Sequence, residues 1–330
     1  MPEVAVRELT LAEAVREALA EEMRRDPRVF IMGEDVAEAG TPFKVLSGLV
    51  EEFGKSRVID TPISEPGFTG IAVGAAMTGM RPVVDIMFGD FLTLTMDQMV
   101  NQAAKVHYMS GGAWKVPMVL RTTLGGGRRS AAQHSQSLHA WLSHIPGLKV
   151  VLPSTPYDAK GLMKTAIRDD NPVVFFEDKM MFKSKGPVPL EEYTIPFGVA
   201  DIKREGEDIT IVATSSMVQV ALGAAALLEE IGISAEVVDP RTTWPLDEKT
   251  LIESARKTSR AIVVDEGYEK YGVTAEIASV IATGAFYDLD APVKRIGAMH
   301  VPIPFSPPLE DATIPTEQQV FEAAKKMCKR

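Results

Sequence analysis

The stretch "RVIDTPISEPGFTGIAVGAAMTGMRPVVDIMF", Arg57 to Phe88, decides the fold. It opens on a short β-branched run, crosses a stretch of glycine, alanine and other small residues with almost no polar atoms, and closes on a second apolar run. Strand, helix and strand in that order make a parallel pair, because a parallel neighbour needs a crossover rather than a hairpin. Glu65 is the odd residue in it. An acid in the first turn of a helix gains about 0.3–1 kcal/mol from the dipole, so Glu65 is either a helix-terminal acid or a working one. Gly70 and Gly74 stand one turn apart on the same helix. They let another backbone come close, either within this chain or from another subunit.

Outward from this unit the alternation repeats. The runs "RVFIMG", "VPMVLRT", "LKVVLP" and "PVVFF" are separated by helical patterns such as "LTMDQMVNQAAKVHYM" and "YDAKGLMKTAIRD". Continuously apolar strands between helices predict an α/β fold with a parallel sheet covered on both faces. The pattern pauses at "EDKMMFKSKGPVPLEEYTIPFGVADIKREGED", whose proline, glycine and charge mark a linker. A second series then begins with "DITIVAT", "MVQVALGAAALLEEIG", "SAEVVDP" and "RAIVVDEG". The 330 residues suffice for two cores, and the expected division is a first domain over 1–185, a linker over 186–206 and a smaller α/β domain over 207–330.

The N-terminal "MPEVAVRELTLAEAVREALAEEMRRD" reads as a charged amphipathic helix, with Thr10 and Glu13 at capping-box spacing, and not as a signal peptide. The uncharged run Pro66 to Met80 is roughly 15 residues where a bilayer needs about 20. No membrane span is expected. A formal net charge of -10 lacks the basic surface that nucleic acid requires. The single cysteine, Cys328, excludes an intrachain disulfide and any CxxC pair, and a cytoplasmic location is the expectation.

Neither GxGxxG nor GxxxxGK[ST] occurs, which removes the dinucleotide and P-loop fingerprints. "LGGGRRSAAQHSQ", with Gly125 to Gly127 ahead of Arg128 and Arg129, is a flexible turn or an anion-binding loop. His134, His139 and His144, at spacing five, would fall about 140° apart per step on a helix and cannot share a zinc. No GxSxG elbow is present, and Cys328 lies in a lysine-rich terminal helix, "TEQQVFEAAKKMCKR". Glu65 and His134 remain as the candidates for chemistry.

Blocks along the whole chain carry a resemblance. "GEDVAEAG", "IDTPISEPGFTGIAVGAAMTGMRPVVDIMFGDF", "DQMVNQAAKVHYMSGG", "AAQHSQSLHAWLSHIPGLKVVLPSTPYDAKGLMKTAIRDDNPVVFFE", "VVDPRTTWPLDEKT" and "PIPFSPPLE" together resemble the beta subunits of the thiamine-diphosphate-dependent first component of 2-oxo acid dehydrogenase complexes, the family of pyruvate, branched-chain 2-oxo acid and acetoin dehydrogenases. The resemblance implies a thiamine-diphosphate-binding (pyrimidine) domain followed by a transketolase C-terminal-like domain.

It also implies roles. The family's glutamate at the place of Glu65 meets a ring nitrogen of the cofactor's aminopyrimidine and promotes its imino tautomer. A water-poor setting strengthens any hydrogen bond a carboxylate makes. Phe91 matches the aromatic residue that packs on the pyrimidine, and Glu34 matches an acid of the same pocket. His134 matches the histidine near the thiazolium, which holds the substrate and moves a proton as the acyl group leaves. A structural potassium site is implied at the main-chain oxygens of Met118, Ala166, Ile167 and Asn171 and the side chain of Asp169. Pro66 and the paired Arg128 and Arg129 depart from the family pattern.

The family holds magnesium and the diphosphate through a GDG motif on its alpha subunit. This chain has no GDG, and "FGDF" is the nearest approach. The resemblance therefore implies half a cofactor site, completed in a heterotetramer of two alpha and two beta subunits, with acyl transfer to a lipoyl-bearing dihydrolipoamide acyltransferase. Pyruvate and acetoin members resemble it more than branched-chain ones. A subunit of a split transketolase-like enzyme and a non-catalytic assembly subunit are the alternatives.

Overall fold

The computed structural model describes residues 6–329. They fall into two compact units: residues up to Leu124 with Trp141–Phe197, and Gly125–Ala140 with Gly198 onward.

The first unit holds six parallel strands: β1 (Val29–Gly33), β2 (Val58–Asp60), β3 (Arg81–Ile86), β4 (Val119–Leu124), β5 (Lys149–Val151) and β6 (Val173–Asp178). They lie in the order β5, β6, β4, β3, β1, β2, registered for instance as Val83 beside Val119 and Val119 beside Val173. Side chains of a strand alternate between faces. Ile31, Val83, Val119 and Phe175 accordingly pack on one side, with Leu11, Val15, Leu19 and Leu162. Met32, Val84, Leu120 and Phe176 pack on the other, with Phe68 and Ala72. This is why the strands read as unbroken apolar runs.

On the first face lie α1 (Leu11–Arg25) and α3 (Pro156–Arg168); α2 (Glu65–Met77) lies on the second. The helix α1 begins at Leu11, later than the sequence suggests, because Thr10 caps it and Val6–Thr10 pairs as a strand with Lys185–Pro189. Glu13 N–H donates to Thr10 Oγ1 at 3.2 Å and Thr10 N–H to Glu13 Oε2 at 2.8 Å, the expected capping box. Residues 1–5 of that expected helix lie outside the described residues. The helical pattern over "LTMDQMVNQAAKVHYM" is interrupted: a π-helical stretch, Asp97–Ala103, separates Leu92–Met96 from Ala104–Met109.

In the second unit β7 (Asp201–Arg204), β8 (Ile209–Ala213), β9 (Ala235–Asp239), β10 (Ala261–Tyr268) and β11 (Lys294–Ala298) form a sheet in the order β11, β10, β8, β9, β7, with β7 antiparallel at the edge. Ile211, Val237 and Ile262 face α4 (Met217–Glu229) and the terminal helix Glu317–Cys328, while Val212, Val238 and Val263 face Leu251 and Ile277.

Two segments differ from a plain reading of the chain. The stretch 186–206 is structured: Lys185–Pro189 is a strand, Tyr193 stacks on Tyr157 with centroids 4.6 Å apart, Ile195 joins the first core and β7 joins the second sheet. Residues 125–140, inside the span expected for the first domain, cluster with the second unit. Acidic side chains remote in sequence, Asp265, Glu266 and Glu310, hold them there.

Candidate active site

In an open parallel sheet, loops that leave the carboxyl ends of the strands gather on one edge. Glu34 directly follows β1, Glu65 follows β2 as the first residue of α2, and Phe91 follows β3. The sheet thus brings together three residues from separate parts of the sequence. Glu65 is buried, 7% exposed, and its carboxylate makes no hydrogen bond among the described residues. Glu34 Oε1 is buried and equally without a partner. Burial, and then the charges of Glu65, Asp35 and Asp85, push the Glu34 carboxyl up. Two acids that repel each other and leave a buried acceptor unsatisfied need a donor from elsewhere. Beside them Phe91 and Phe88 stand edge to face, 6.1 Å between centroids, and Phe43 lies 5.7 Å from Phe88.

The loop after Glu34 is drawn inward by Asp60, whose Oδ1 accepts Ala37 N–H at 2.7 Å and Oδ2 accepts Glu38 N–H at 3.3 Å. Asp35 has a positive φ of 52°, so the backbone bends sharply next to Glu34. Gly33 has to be glycine: a Cβ there would come 2.6 Å from Asp85 O. Pro66, in the first turn of α2, forfeits no intrahelical bond and fixes the helix start that aims Glu65.

Beneath the edge lies a fully buried ionic cluster. Arg121 Nε and Nη2 donate to the two oxygens of Glu177 at 2.9 and 2.6 Å, and Nη1 pairs with Asp85 Oδ2. Burial opposes the guanidinium charge, yet Asp85 and Glu177 outweigh it and raise the Arg121 pKa.

His134 belongs to the second unit, within Gly125–Ala140. Gly126 N–H donates to Glu266 Oε1 at 2.5 Å, Gly127 N–H to Glu310 Oε1 at 2.8 Å and Arg129 N–H to Glu310 Oε2 at 3.1 Å. The glycine loop is an anion cradle, but the anions it holds are the protein's own. Further on, His139 Nε2 meets Asp265 Oδ2 at 3.1 Å, and Asp265 also accepts Gly267 N–H at 2.8 Å and the Thr214 hydroxyl. Burial pushes the Asp265 carboxyl up, but the His139 charge and these hydrogen bonds more than offset it and hold it low.

Against known proteins, residues 7–185 match the family Transketolase, pyrimidine binding domain, and residues 198–320 match Transketolase, C-terminal domain. The chain is 51% identical to the pyruvate dehydrogenase E1 component subunit beta of Rickettsia felis, covering 97% of this chain and 98% of that one. It is 50% identical to the acetoin:2,6-dichlorophenolindophenol oxidoreductase subunit beta of Bacillus subtilis, covering 95% of each.

The chain belongs to the family of 2-oxo acid and acetoin dehydrogenase beta subunits.

It is thus a beta subunit of a thiamine-diphosphate-dependent oxidoreductase. Identity to the Bacillus subtilis 2-oxoisovalerate dehydrogenase subunit beta is 44%, over 97% of this chain and 98% of the other. In fold the beta subunit is similar to a split-gene transketolase solved as an inactive beta4 tetramer, with a TM-score of 0.77 and 24% identity over 98% and 99% of the two chains.

The carboxyl edge fits thiamine diphosphate: an aminopyrimidine ring offers nitrogen partners to Glu65 and to the orphaned Glu34 Oε1, and a flat face to Phe91. The expected potassium set lies at the opposite edge, where Met118 precedes β4 and Asp169 and Asn171 precede β6. There Asp169 Oδ1 accepts Asn171 N–H at 2.8 Å and Oδ2 pairs with Lys149. Arg81 Nη1 donates to Ile167 O and Asp169 O at 3.0 and 2.9 Å, and Met118 O accepts Val173 N–H. The one carboxylate in the set is committed within the chain, with two cations of its own nearby. These residues do not fit a potassium ion held through the Asp169 side chain. Among the described residues no group of three or more His, Cys, Asp or Glu could hold a metal ion, and no helix is long and apolar enough to cross a membrane.

Glu34→Gln in the beta subunit removes a charge that the fold repels. The chain alone should gain stability on the order of 1 kcal/mol, roughly 2–4 °C in Tm. Activity of the assembled enzyme should fall at the same time, as calorimetry and turnover together would register.

Proposed function

We propose that this beta subunit supplies the pyrimidine-side half of a thiamine-diphosphate site, for cleavage of the carbon–carbon bond beside a substrate carbonyl and reductive acylation of a lipoyl group. The observation that carries the reading is a pair of repelling carboxylates, buried Glu65 and half-buried Glu34 with its enclosed, unpaired Oε1, at the carboxyl edge beside Phe91. When bound, the cofactor supplies the nucleophilic carbon. Glu65 holds a proton against its ring nitrogen, Glu34 anchors the same ring, Phe91 orients its plane, and the apolar wall of α2 keeps water out. His134 holds the substrate oxygen and moves a proton when the acyl group departs. In His134→Ala, cleavage followed with a dye acceptor should persist while acylation of lipoamide drops about 10²-fold. Wild-type acylation would remove His134 from the scheme.

The partner that completes the site is an alpha subunit holding magnesium and diphosphate, in a tetramer of two alpha and two beta chains, with a lipoyl-bearing acyltransferase as acceptor. Gly74, the last glycine of α2, supports this. A Cβ at Gly74 would meet nothing within 4 Å, and Ile71 beside it is 65% exposed, so packing inside the chain does not require the small residue. Gly74→Leu should leave the chain folded, with about 0.5–1 kcal/mol more helix propensity, and abolish association with the alpha subunit in size-exclusion chromatography. Normal assembly of that variant would take α2 out of the interface.

Pyruvate or acetoin is the favoured substrate, supported by identities of 50–51% to those beta subunits against 44% to the 2-oxoisovalerate one. Co-expression with the alpha subunit, followed by assay of pyruvate, acetoin and branched 2-oxo acids with an artificial electron acceptor, tests this; preference for the branched acids would reverse it. The split-transketolase reading has only the fold likeness behind it, and a purely structural subunit would have no use for Glu34 and Glu65 at their cost in repulsion. The lone Cys328 supports a reducing, cytoplasmic setting.

A further inference from the structure

Glu310 is distant in sequence from every residue of the proposed chemistry, yet it is fully buried. Its carboxylate accepts Gly127 N–H (2.8 Å), Arg129 N–H (3.1 Å) and Arg129 Nη1 (2.7 Å), while Asp311 beside it takes Arg129 Nη1 and Nη2 at 2.6 and 3.1 Å. Glu266 adds a bond from Gly126 N–H and accepts the Ser216 hydroxyl at 3.1 Å. Gly125, Gly127 and Arg129 all have positive φ, 94°, 84° and 60°, the geometry that turns successive amides toward one anion. Carboxylates gripped by three amides and a guanidinium make a rigid pin, since charge-assisted bonds are about twice as strong as neutral ones.

His134 comes soon after the pinned residues. On its other side Ser135 is buried, and Ser135 to Ser137 line a small cavity with Glu266, Gly267 and Tyr268. His139 is then tied to Asp265. The histidine therefore sits on a short span anchored at both ends by acids of the second unit.

We propose that Glu310 is a positioning residue: by filling the amide cradle of Gly125–Arg129 it fixes the backbone that presents His134. The inference rests on the role of His134 given above. It also accounts for Arg129, one of the departures from the family pattern, as a partner of Glu310 and Asp311 instead of a substrate ligand.

Two readouts on the full chain and its assembly with the alpha subunit test it. In Glu310→Gln, hydrogen exchange of the amides in residues 125–134 should quicken at least about tenfold, because an amide nitrogen cannot accept from Gly127 or Arg129. In the assembled enzyme, lipoamide acylation should fall about tenfold in kcat with little change in KM, and Glu310→Gln added to His134→Ala should cost nothing further. Should Glu310→Gln not fold, Arg129→Ala carries the same readouts with smaller effects. Unchanged exchange overturns the pin and leaves His134 standing. Losses that add in the double variant overturn the positioning role, and wild-type acylation by His134→Ala overturns it together with the reading of His134.

Discussion

Glu65→Gln should lower turnover of the assembled enzyme by about 10²–10⁴-fold, the range for losing a positioned acid or base, while assembly with the alpha subunit is retained. The carboxamide has nearly the shape of the carboxylate and sits at the same helix start, so the core that Phe68 and Ala72 of α2 build is undisturbed. What it lacks is the ability to carry and exchange a proton against the cofactor ring. Loss at the helix dipole alone would be about 0.3–1 kcal/mol, a stability effect with no bearing on rate. Turnover of the purified assembly, measured with saturating thiamine diphosphate, separates the two: a helix-terminal acid predicts wild-type rate, a working acid predicts near-silence.

Arg121→Leu should destabilise the first unit by about 3–5 kcal/mol, the usual cost of removing one partner from a buried ion pair. Among the described residues Arg121 is the cation bonded to both Asp85 and Glu177 at the centre of the sheet, and its loss strands both carboxylates in a dry interior. Adding Asp85→Asn and Glu177→Gln to the substitution should recover part of the loss, since neutral groups are cheaper to bury. Urea titration of the three proteins reads this directly. If Arg121→Leu alone unfolds at the wild-type midpoint, the cluster is not holding the sheet.

Much of the fold is legible from Arg57–Phe88 alone, because β2, α2 and β3 each carry the periodicity of their final state. The place of Glu65 is legible for the same reason: a charge at the head of an apolar helix is costly to bury unless something pairs with it there. Less visible is the discontinuity at 125–140. Its cause is three acids, Asp265, Glu266 and Glu310, that reach this segment from more than a hundred residues away, and no local propensity encodes such a contact. A signal for the buried cluster does exist: Asp85 stands between Val84 and Ile86, and Arg121 and Glu177 each directly follow an apolar run within a strand, a pattern that asks for mutual pairing. Lys160 and Lys164 mislead in the opposite direction. On an amphipathic helix they read as solvated, whereas they are buried and paired with Glu17 and Glu21 of α1, through contacts that only the packing of α1 on α3 creates.

The central claim is that this chain contributes the acid side of a cofactor site whose phosphate side lies elsewhere. Titrating the purified chain into a fixed amount of alpha subunit, with thiamine diphosphate, magnesium, pyruvate or acetoin and a dye acceptor, measures it most directly. Activity should be absent for either chain alone, and should rise to a plateau at one beta per alpha. Full turnover by this chain without the alpha subunit would contradict the account.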